Sequence, residues 1–128
     1  MIDINCDKGE IQDLLDNNVY SGLMDYVTSI NLACGGHAGD ETMMRSLIRT
    51  AHRKDVNVGA HPSYPDQVNF GRMAMDLDHE DMVESISTQV QDLIKIAREE
   101  NGPVTHVKPN GAMYTLADWN SAQDQDMR

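Results

Sequence analysis

The chain has 128 residues, of which 40% are hydrophobic and 24% are charged, and its formal net charge is −11. This length suits one domain with a buried core, and the acidic balance argues against a nucleic-acid or anionic-membrane surface, which would need a basic stripe. No apolar run reaches the roughly 18 residues that a membrane helix needs, and the N-terminal sequence has no signal-peptide pattern, so we expect a cytoplasmic protein with reduced cysteines.

Hydrophobic periodicity predicts strands and helices in alternation. Strands separated by helices pair in parallel through right-handed crossovers, so the expected fold class is α/β, in a single domain over residues 1–128. In the first half of the chain we predict a strand over 2–6, a loop with about one helical turn over 11–23, a strand over 27–33 and a helix over 40–54 capped by Gly39 or Asp40. We then predict a strand over 56–60, a long loop over 63–76 and a helix over 79–101 capped by Asp78. A strand over 104–107, a helix beginning over 112–117 and a polar tail over 118–128 follow.

Polar residues stand at the end of each predicted strand or directly after it. Because parallel α/β folds bind ligands at the carboxyl ends of their strands, we expect these side chains to converge. They are Asn5, Asp7 and Glu10 at the first strand, His37 and Asp40 at the second, His61, Ser63 and Asp66 at the third, and Lys108 and Asn110 at the fourth.

These residues allow two kinds of chemistry. Asp7, His37 and His61 could hold a divalent cation such as Mg²⁺ or Zn²⁺ with open coordination positions. Without a metal, Asp7 or Glu10 could act as a base, a histidine as acid or base, and Lys108 could stabilise a developing oxyanion.

Simpler roles stay open for the same residues. The histidines could be hydrogen-bonded structural groups, and Lys108 could form an ion pair at the rim. Arg72, in the long loop, could clamp a carboxylate or a phosphate, or form a surface ion pair. His106 lies within the fourth strand, where we expect it to be packed or hydrogen-bonded. No Walker-type motif is present, so we do not expect a standard P-loop.

Five blocks of the sequence resemble, in order, those of the LamB/YcsF family. Together they are distributed along nearly the whole chain and are specific to that family, although no single block would be. The blocks are residues 5–10 (NCDKGE), 31–40 (NLACGGHAGD), 59–66 (GAHPSYPD), 70–72 (FGR) and 106–114 (HVKPNGAMY).

The resemblance implies a (β/α) barrel related to the glycoside hydrolases and sugar deacetylases. Such a barrel needs on the order of 200–250 residues, so about four βα units would form an incomplete one. Its open edge strands predict a homo-oligomer. The family is the A subunit of ATP-dependent 5-oxoprolinase, which hydrolyses the lactam 5-oxo-L-proline to L-glutamate with ATP and with subunits B and C.

On this reading the residues divide into three groups. The catalytic group is Asp7, Glu10, His37, His61 and Lys108. The substrate-binding group is Asn5, Asp40, Arg72 and Asn110. By analogy with the related deacetylases, Asp7, His37 and His61 would be metal ligands.

Three positions depart from the family's usual pattern. Lys8 replaces an apolar residue, Gly36 replaces an aromatic one, and Asn110 replaces a histidine. We expect Gly36 to widen the pocket and Asn110 to be unable to carry a proton. Two other functions stay open, a stand-alone metal-dependent hydrolase of the deacetylase type and a non-catalytic binding or assembly module.

Overall fold

A computed structural model describes residues 2–115, which form a parallel sheet covered by helices. The four strands lie in chain order, and each neighbouring pair is parallel, which confirms the predicted α/β class. The elements are β1 (Asn5–Lys8), α1 (Gln12–Asp16), α2 (Val19–Leu23), a 3₁₀ turn (Met24–Tyr26), β2 (Ser29–Ala33), α3 (Glu41–Arg53), β3 (Asn57–His61), α4 (His79–Glu99) and β4 (Val104–Val107).

The apolar face of the sheet packs against α3 and α4. Side chains alternate between the two faces of a strand, so β2 and β3 direct Ile30, Leu32, Val58 and Ala60 into this core. The helices contribute apolar stripes at helical spacing. Their buried residues are Met43, Met44, Leu47, Ile48 and Ala51 from α3, and Leu93, Ile96 and Ala97 from α4.

The opposite face of the sheet is polar because the alternate residues of each strand are polar or small. The register sets Asp7 of β1 beside Asn31 of β2. In β4 the register shifts between the pairs Val58–Val104 and Ala60–Val107, so that two residues of β4 stand opposite one of β3. Such a β-bulge re-aims side chains. Here it brings the side chains of His106 and Lys108 onto the polar face.

Most predicted elements are present with shifted ends, but the segment after β1, predicted to be a loop with about one helical turn over 11–23, is mostly helical. It forms α1, α2 and the 3₁₀ turn, and it buries Tyr20 and Met24. These helices are too short for a clear periodic pattern, and a left-handed Asn18 (φ +59°) separates them.

The predicted helix caps have different outcomes. Asp40 caps α3 as predicted, because its carboxylate accepts a hydrogen bond from the Met43 backbone N–H (2.8 Å). Asp78 makes no side-chain cap hydrogen bond to α4. The last predicted helix is present over 111–115, and its remainder and the polar tail lie outside the described residues. Within 2–115, no helix is both long and apolar enough to cross a bilayer.

Candidate functional site

The predicted site residues lie at the carboxyl ends of the strands. Asp7 belongs to β1 and His61 ends β3, whereas Glu10 and His37 lie in the loops after β1 and β2. Gly9, which precedes Glu10, has a φ of +77°, and a Cβ there would lie 2.6 Å from Leu32 Cδ1. This glycine therefore lets the chain turn tightly over β2.

Glu10 and the two histidines form a compact cluster. The Glu10 Oε1 atom is 2.7 Å from His37 Nε2 and 3.7 Å from His61 Nε2. The imidazole rings meet edge to face with their centroids 5.3 Å apart, and each histidine is 1% exposed. One ligand atom from each of the three residues lies within 4.8 Å of the others.

The cluster fits a divalent cation by the chemistry of its buried atoms. His61 Nδ1 donates to the Lys108 carbonyl (2.6 Å), so Nε2 of the neutral ring carries a lone pair. Burial lowers the pKa of His61 more than the nearby Asp7 carboxylate raises it, which favours this neutral form. Among the described residues, His61 Nε2 and His37 Nδ1 are buried without a hydrogen-bond partner. Carboxylate oxygen and imidazole nitrogen are typical ligands of Zn²⁺.

Asp7 lies beside this cluster and has different partners. Its Oδ1 accepts hydrogen bonds from Lys108 Nζ (3.0 Å) and Asn31 Nδ2 (3.1 Å), and its Oδ2 is 3.5 Å from His61 Nε2. Burial alone would raise the pKa of Asp7, but Lys108, His61 and Asn31 together hold it below its ordinary value. The carboxylate that reaches both imidazoles is therefore Glu10, rather than the Asp7 of our expected ligand set, because the turn at Gly9 folds Glu10 back over the strand ends.

Asn31 links the polar side chains of three strands, although the sequence did not single it out. Its amide nitrogen donates to Asn5 Oδ1 (2.8 Å) and to Asp7, and its Oδ1 accepts from His106 Nε2 (2.7 Å). His106 is thus hydrogen-bonded, as expected. Asn5, predicted to bind substrate, has its carbonyl oxygen engaged in this network. The available signal was the alternation of β2, which sets Asn31 on the same face as the site.

Arg72 and Phe70 flank the cluster on the loop after β3. The Phe70 ring meets the His37 ring edge to face at 5.0 Å, and the Arg72 guanidinium carbon lies 5.3 Å from the Phe70 centroid. Arg72 forms no ion pair with any residue in 2–115. A substrate carboxylate or phosphate therefore remains its predicted partner.

Asn110 holds the same loop in place. Its amide nitrogen donates to Ser63 Oγ (3.2 Å) and to the Phe70 carbonyl (3.1 Å), and the residue is 8% exposed. Both of its N–H groups are therefore used within the fold, so the predicted contact with substrate would have to use Oδ1. Asp40, the other predicted binding residue, uses its carboxylate to cap α3 but lies at the edge of the cleft.

The expectation that Gly36 widens the pocket was wrong. The side chain of Gln89 fills the space beside it, and a Cβ on Gly36 would lie 2.4 Å from Gln89 Oε1. Gln89 pairs with the backbone of Ser63, accepting from its N–H (3.0 Å) and donating to its carbonyl (2.9 Å). A cleft of about 460 Å³ lies beside Glu10 and His37 and is lined by Glu10, Gln12, His37, Ala38, Gly39, Asp40, Met43, Gln67 and Phe70.

Comparison with known proteins agrees with this architecture. The chain is 45% identical over 116 residues to the A subunit of 5-oxoprolinase from Chloroflexus aurantiacus, an alignment that covers 91% of this chain and 46% of that protein. It is 44% identical over 113 residues to the A subunit of 5-oxoprolinase from Pyrococcus horikoshii, covering 88% of this chain and 44% of that protein. The chain thus spans about half the length of these relatives.

A solved structure is similar as well. The lactam utilization protein from Thermus thermophilus superposes with a TM-score of 0.79 at 37% identity, over 91% of this chain and 47% of that one. The sequence model of the LamB/YcsF family matches residues 2–127. The chain belongs to the LamB/YcsF family.

Proposed function

We propose that this chain provides catalytic residues of an ATP-dependent 5-oxoprolinase, as its A subunit or part of it, acting with subunits B and C. The observation that carries the proposal is the buried Nε2 of His61, which has no hydrogen-bond partner among the described residues and faces the carboxylates of Asp7 (3.5 Å) and Glu10 (3.7 Å). A proton acceptor beside carboxylates and the Lys108 ammonium suits the opening of a cyclic amide. The names of the relatives supply the substrate.

Lactam hydrolysis needs a base and a partner for negative charge. Water oxygen bonds to the ring carbonyl carbon, the carbon–nitrogen bond breaks, and the nitrogen takes up a proton, which leaves an amine and a new carboxylate. His61 Nε2 can accept the proton of the attacking water because the Lys108 carbonyl holds Nδ1–H and fixes the ring. Asp7 then stabilises the imidazolium, and Lys108 Nζ stabilises the charge on the carbonyl oxygen.

ATP addresses the low reactivity of the amide. Transfer of the γ-phosphoryl group to the amide oxygen gives ADP and an activated carbon. Water attacks that carbon, the carbon–nitrogen bond breaks as the nitrogen takes up a proton, and the resulting acyl phosphate is hydrolysed by a second water molecule to phosphate and the carboxylate. Arg72, which has no ion-pair partner within 2–115, is the residue that we assign to the substrate carboxylate or the phosphate. We propose that the nucleotide binds in the assembly with subunits B and C. Self-association of this chain stays a prediction.

A metal-dependent hydrolase of the deacetylase type is the second candidate, and the cluster of Glu10, His37 and His61 favours it. A divalent cation held there would polarise a carbonyl and lower the pKa of water. With His61 Nε2 engaged by a cation, Asp7 is the neighbouring carboxylate that can accept a proton, because its Oδ2 lies 3.5 Å from that nitrogen.

A glutamate-release assay tests the first candidate. The chain is mixed with candidate B and C subunits, ATP and 5-oxo-L-proline, with a full-length relative as the positive control. We expect turnover, and we expect His61→Gln to lower it by about 10²–10⁴-fold. His52→Gln, at an exposed position on α3, is the matched control and should leave turnover unchanged. No glutamate from this chain, with the relative active, would contradict the proposal.

Metal analysis separates the alternatives. A stoichiometric divalent ion that is lost in His37→Ala and His61→Ala, together with amide hydrolysis that needs no ATP, would favour the metal-dependent hydrolase. Absence of turnover under either condition would favour a non-catalytic binding or assembly module.

A further inference from the structure

We propose that Tyr20 is a positioning residue that holds Glu10 in the cation site formed with His37 and His61. The phenol oxygen of Tyr20 accepts hydrogen bonds from the backbone N–H of Glu10 (3.1 Å) and of Ile11 (2.8 Å). These two bonds tie down the loop that presents the Glu10 carboxylate. The inference rests on the proposed function only in requiring that a divalent cation binds at this cluster.

Tyr20 is itself rigidly placed. It lies on α2 and is 3% exposed, within the apolar core that also contains Met24. The Lys8 ammonium lies 5.3 Å from the centroid of the Tyr20 ring, and Lys8 is 2% exposed. A cation over an aromatic face is favourable, and the long lysine side chain packs along the ring. The phenol oxygen is therefore a fixed point to which the loop is attached.

The two hydrogen bonds to Tyr20 fix the backbone that carries the Glu10 carboxylate. Glu10 follows Gly9, whose left-handed conformation turns the chain sharply, and it precedes the short helix α1. Within 2–115, Tyr20 is the acceptor that the Glu10 and Ile11 N–H groups find. Groups that orient a metal ligand from behind typically contribute about 10–100-fold to metal affinity.

Zinc titration calorimetry of the purified chain tests the inference. Tyr20→Phe keeps the ring and removes only the acceptor oxygen, so we expect Zn²⁺ affinity to fall by about 10–100-fold. Tyr26→Phe makes the same chemical change at a residue that is 80% exposed, and it should leave the affinity unchanged. Glu10→Gln removes the ligand charge and should weaken binding at least as much as Tyr20→Phe.

The double variant Tyr20→Phe/Glu10→Gln decides how Tyr20 acts. If Tyr20 works through Glu10, the Tyr20 substitution has no further effect once the ligand is lost. An equal loss of affinity in both backgrounds would show a general structural role and overturn the proposal. Circular dichroism and urea midpoints of all four proteins show whether folding changes.

The two remaining outcomes are distinct. If the parent chain binds Zn²⁺ and Tyr20→Phe binds it equally well, the role of Tyr20 is overturned while the cation site stands. If the parent chain binds no Zn²⁺, the cation site fails and the role of Tyr20 fails with it. The glutamate-release assay, which does not require a cation here, then judges the proposed lactam hydrolysis separately.

Discussion

Replacing Gly59 with alanine should disturb the polar network at the site through a single steric clash. The His106 ring crosses over β3 at Gly59 to reach Asn31, and a Cβ on Gly59 would lie 2.2 Å from His106 Nε2. The ring can rotate away, but the Asn31 carbonyl oxygen then loses its donor. Asn31 is 1% exposed, so no solvent readily replaces that donor.

The magnitude follows from two opposing terms. A buried acceptor that loses its hydrogen bond costs about 1–3 kcal/mol. Gly→Ala at a compatible backbone stabilises by about 0.4–1 kcal/mol, because it restricts the unfolded chain. We therefore expect Gly59→Ala to lower the free energy of unfolding by about 0.5–2 kcal/mol. In a His106→Ala background the clash is absent, so the same substitution should stabilise by about 0.4–1 kcal/mol.

Urea unfolding followed by circular dichroism measures all four proteins of this cycle. The two effects of Gly59→Ala should differ by about 1–3 kcal/mol. Gly22→Ala is the control, since a Cβ there would meet nothing within 4 Å, and it should stabilise α2 equally in both backgrounds. The reasoning is refuted if Gly59→Ala has the same effect with and without the His106 ring.

Three further predictions concern other parts of the chain. Burial raises the pKa of the Cys34 thiol to about 12, so a maleimide at pH 8 should label it only after unfolding in urea, with Cys34→Ser identifying the site. Hydrogen bonds from Arg49 and Arg45 hold the pKa of Glu100 below its ordinary 4.5, so its stabilisation is present above that pH and is lost as the pH falls through the lowered pKa. Glu100→Gln should therefore lower the urea midpoint at pH 7, and a difference that persisted in acid would contradict this. Asn110→Ala should lower the free energy of unfolding by about 1–3 kcal/mol and speed tryptic cleavage after Arg72, because the loop loses its hydrogen bonds to Asn110. An unchanged cleavage rate would argue against the role of Asn110 in holding this loop.

The architecture was largely predictable because it depends on local periodicity. The apolar residues at helical spacing in α3 and the short strand pattern of β4 were recognisable in the sequence. Polar residues at the strand ends indicated the site. The two short helices were not predictable, because Tyr20 and Met24 become buried only when the chain packs against the sheet. The bulge in β4 could not be predicted either, because the residues of β4 alternate as they would in a regular strand.

The details of the site depend on contacts between distant segments. From the sequence we predicted that either Asp7 or Glu10 could act as a base and that, of the two, Asp7 alone would be a metal ligand. The turn at Gly9, however, decides which carboxylate reaches both imidazoles. Gln89 had a detectable signal, because it is a polar residue three positions after Ile86 on the inward face of α4. A polar residue on such a face needs a partner, and its partner is the loop after β3.

Charge balance explains why the two neighbouring carboxylates differ in role. Asp7 is paired with the Lys108 ammonium, whereas the Glu10 carboxylate has only imidazoles as ion-pair partners among the described residues. Among Asp7, Glu10 and Lys108, two carboxylates and one ammonium leave one excess negative charge, located at Glu10. A divalent cation bound there would reverse the sign and leave one excess positive charge, which the single carboxylate of 5-oxoproline, the substrate that we propose, would neutralise. Removing the charge at Glu10 should therefore weaken the binding of the cation directly, and the binding of the anionic substrate only as a consequence. Removing the carboxylate of Asp7 should instead leave the Lys108 ammonium without its ion-pair partner.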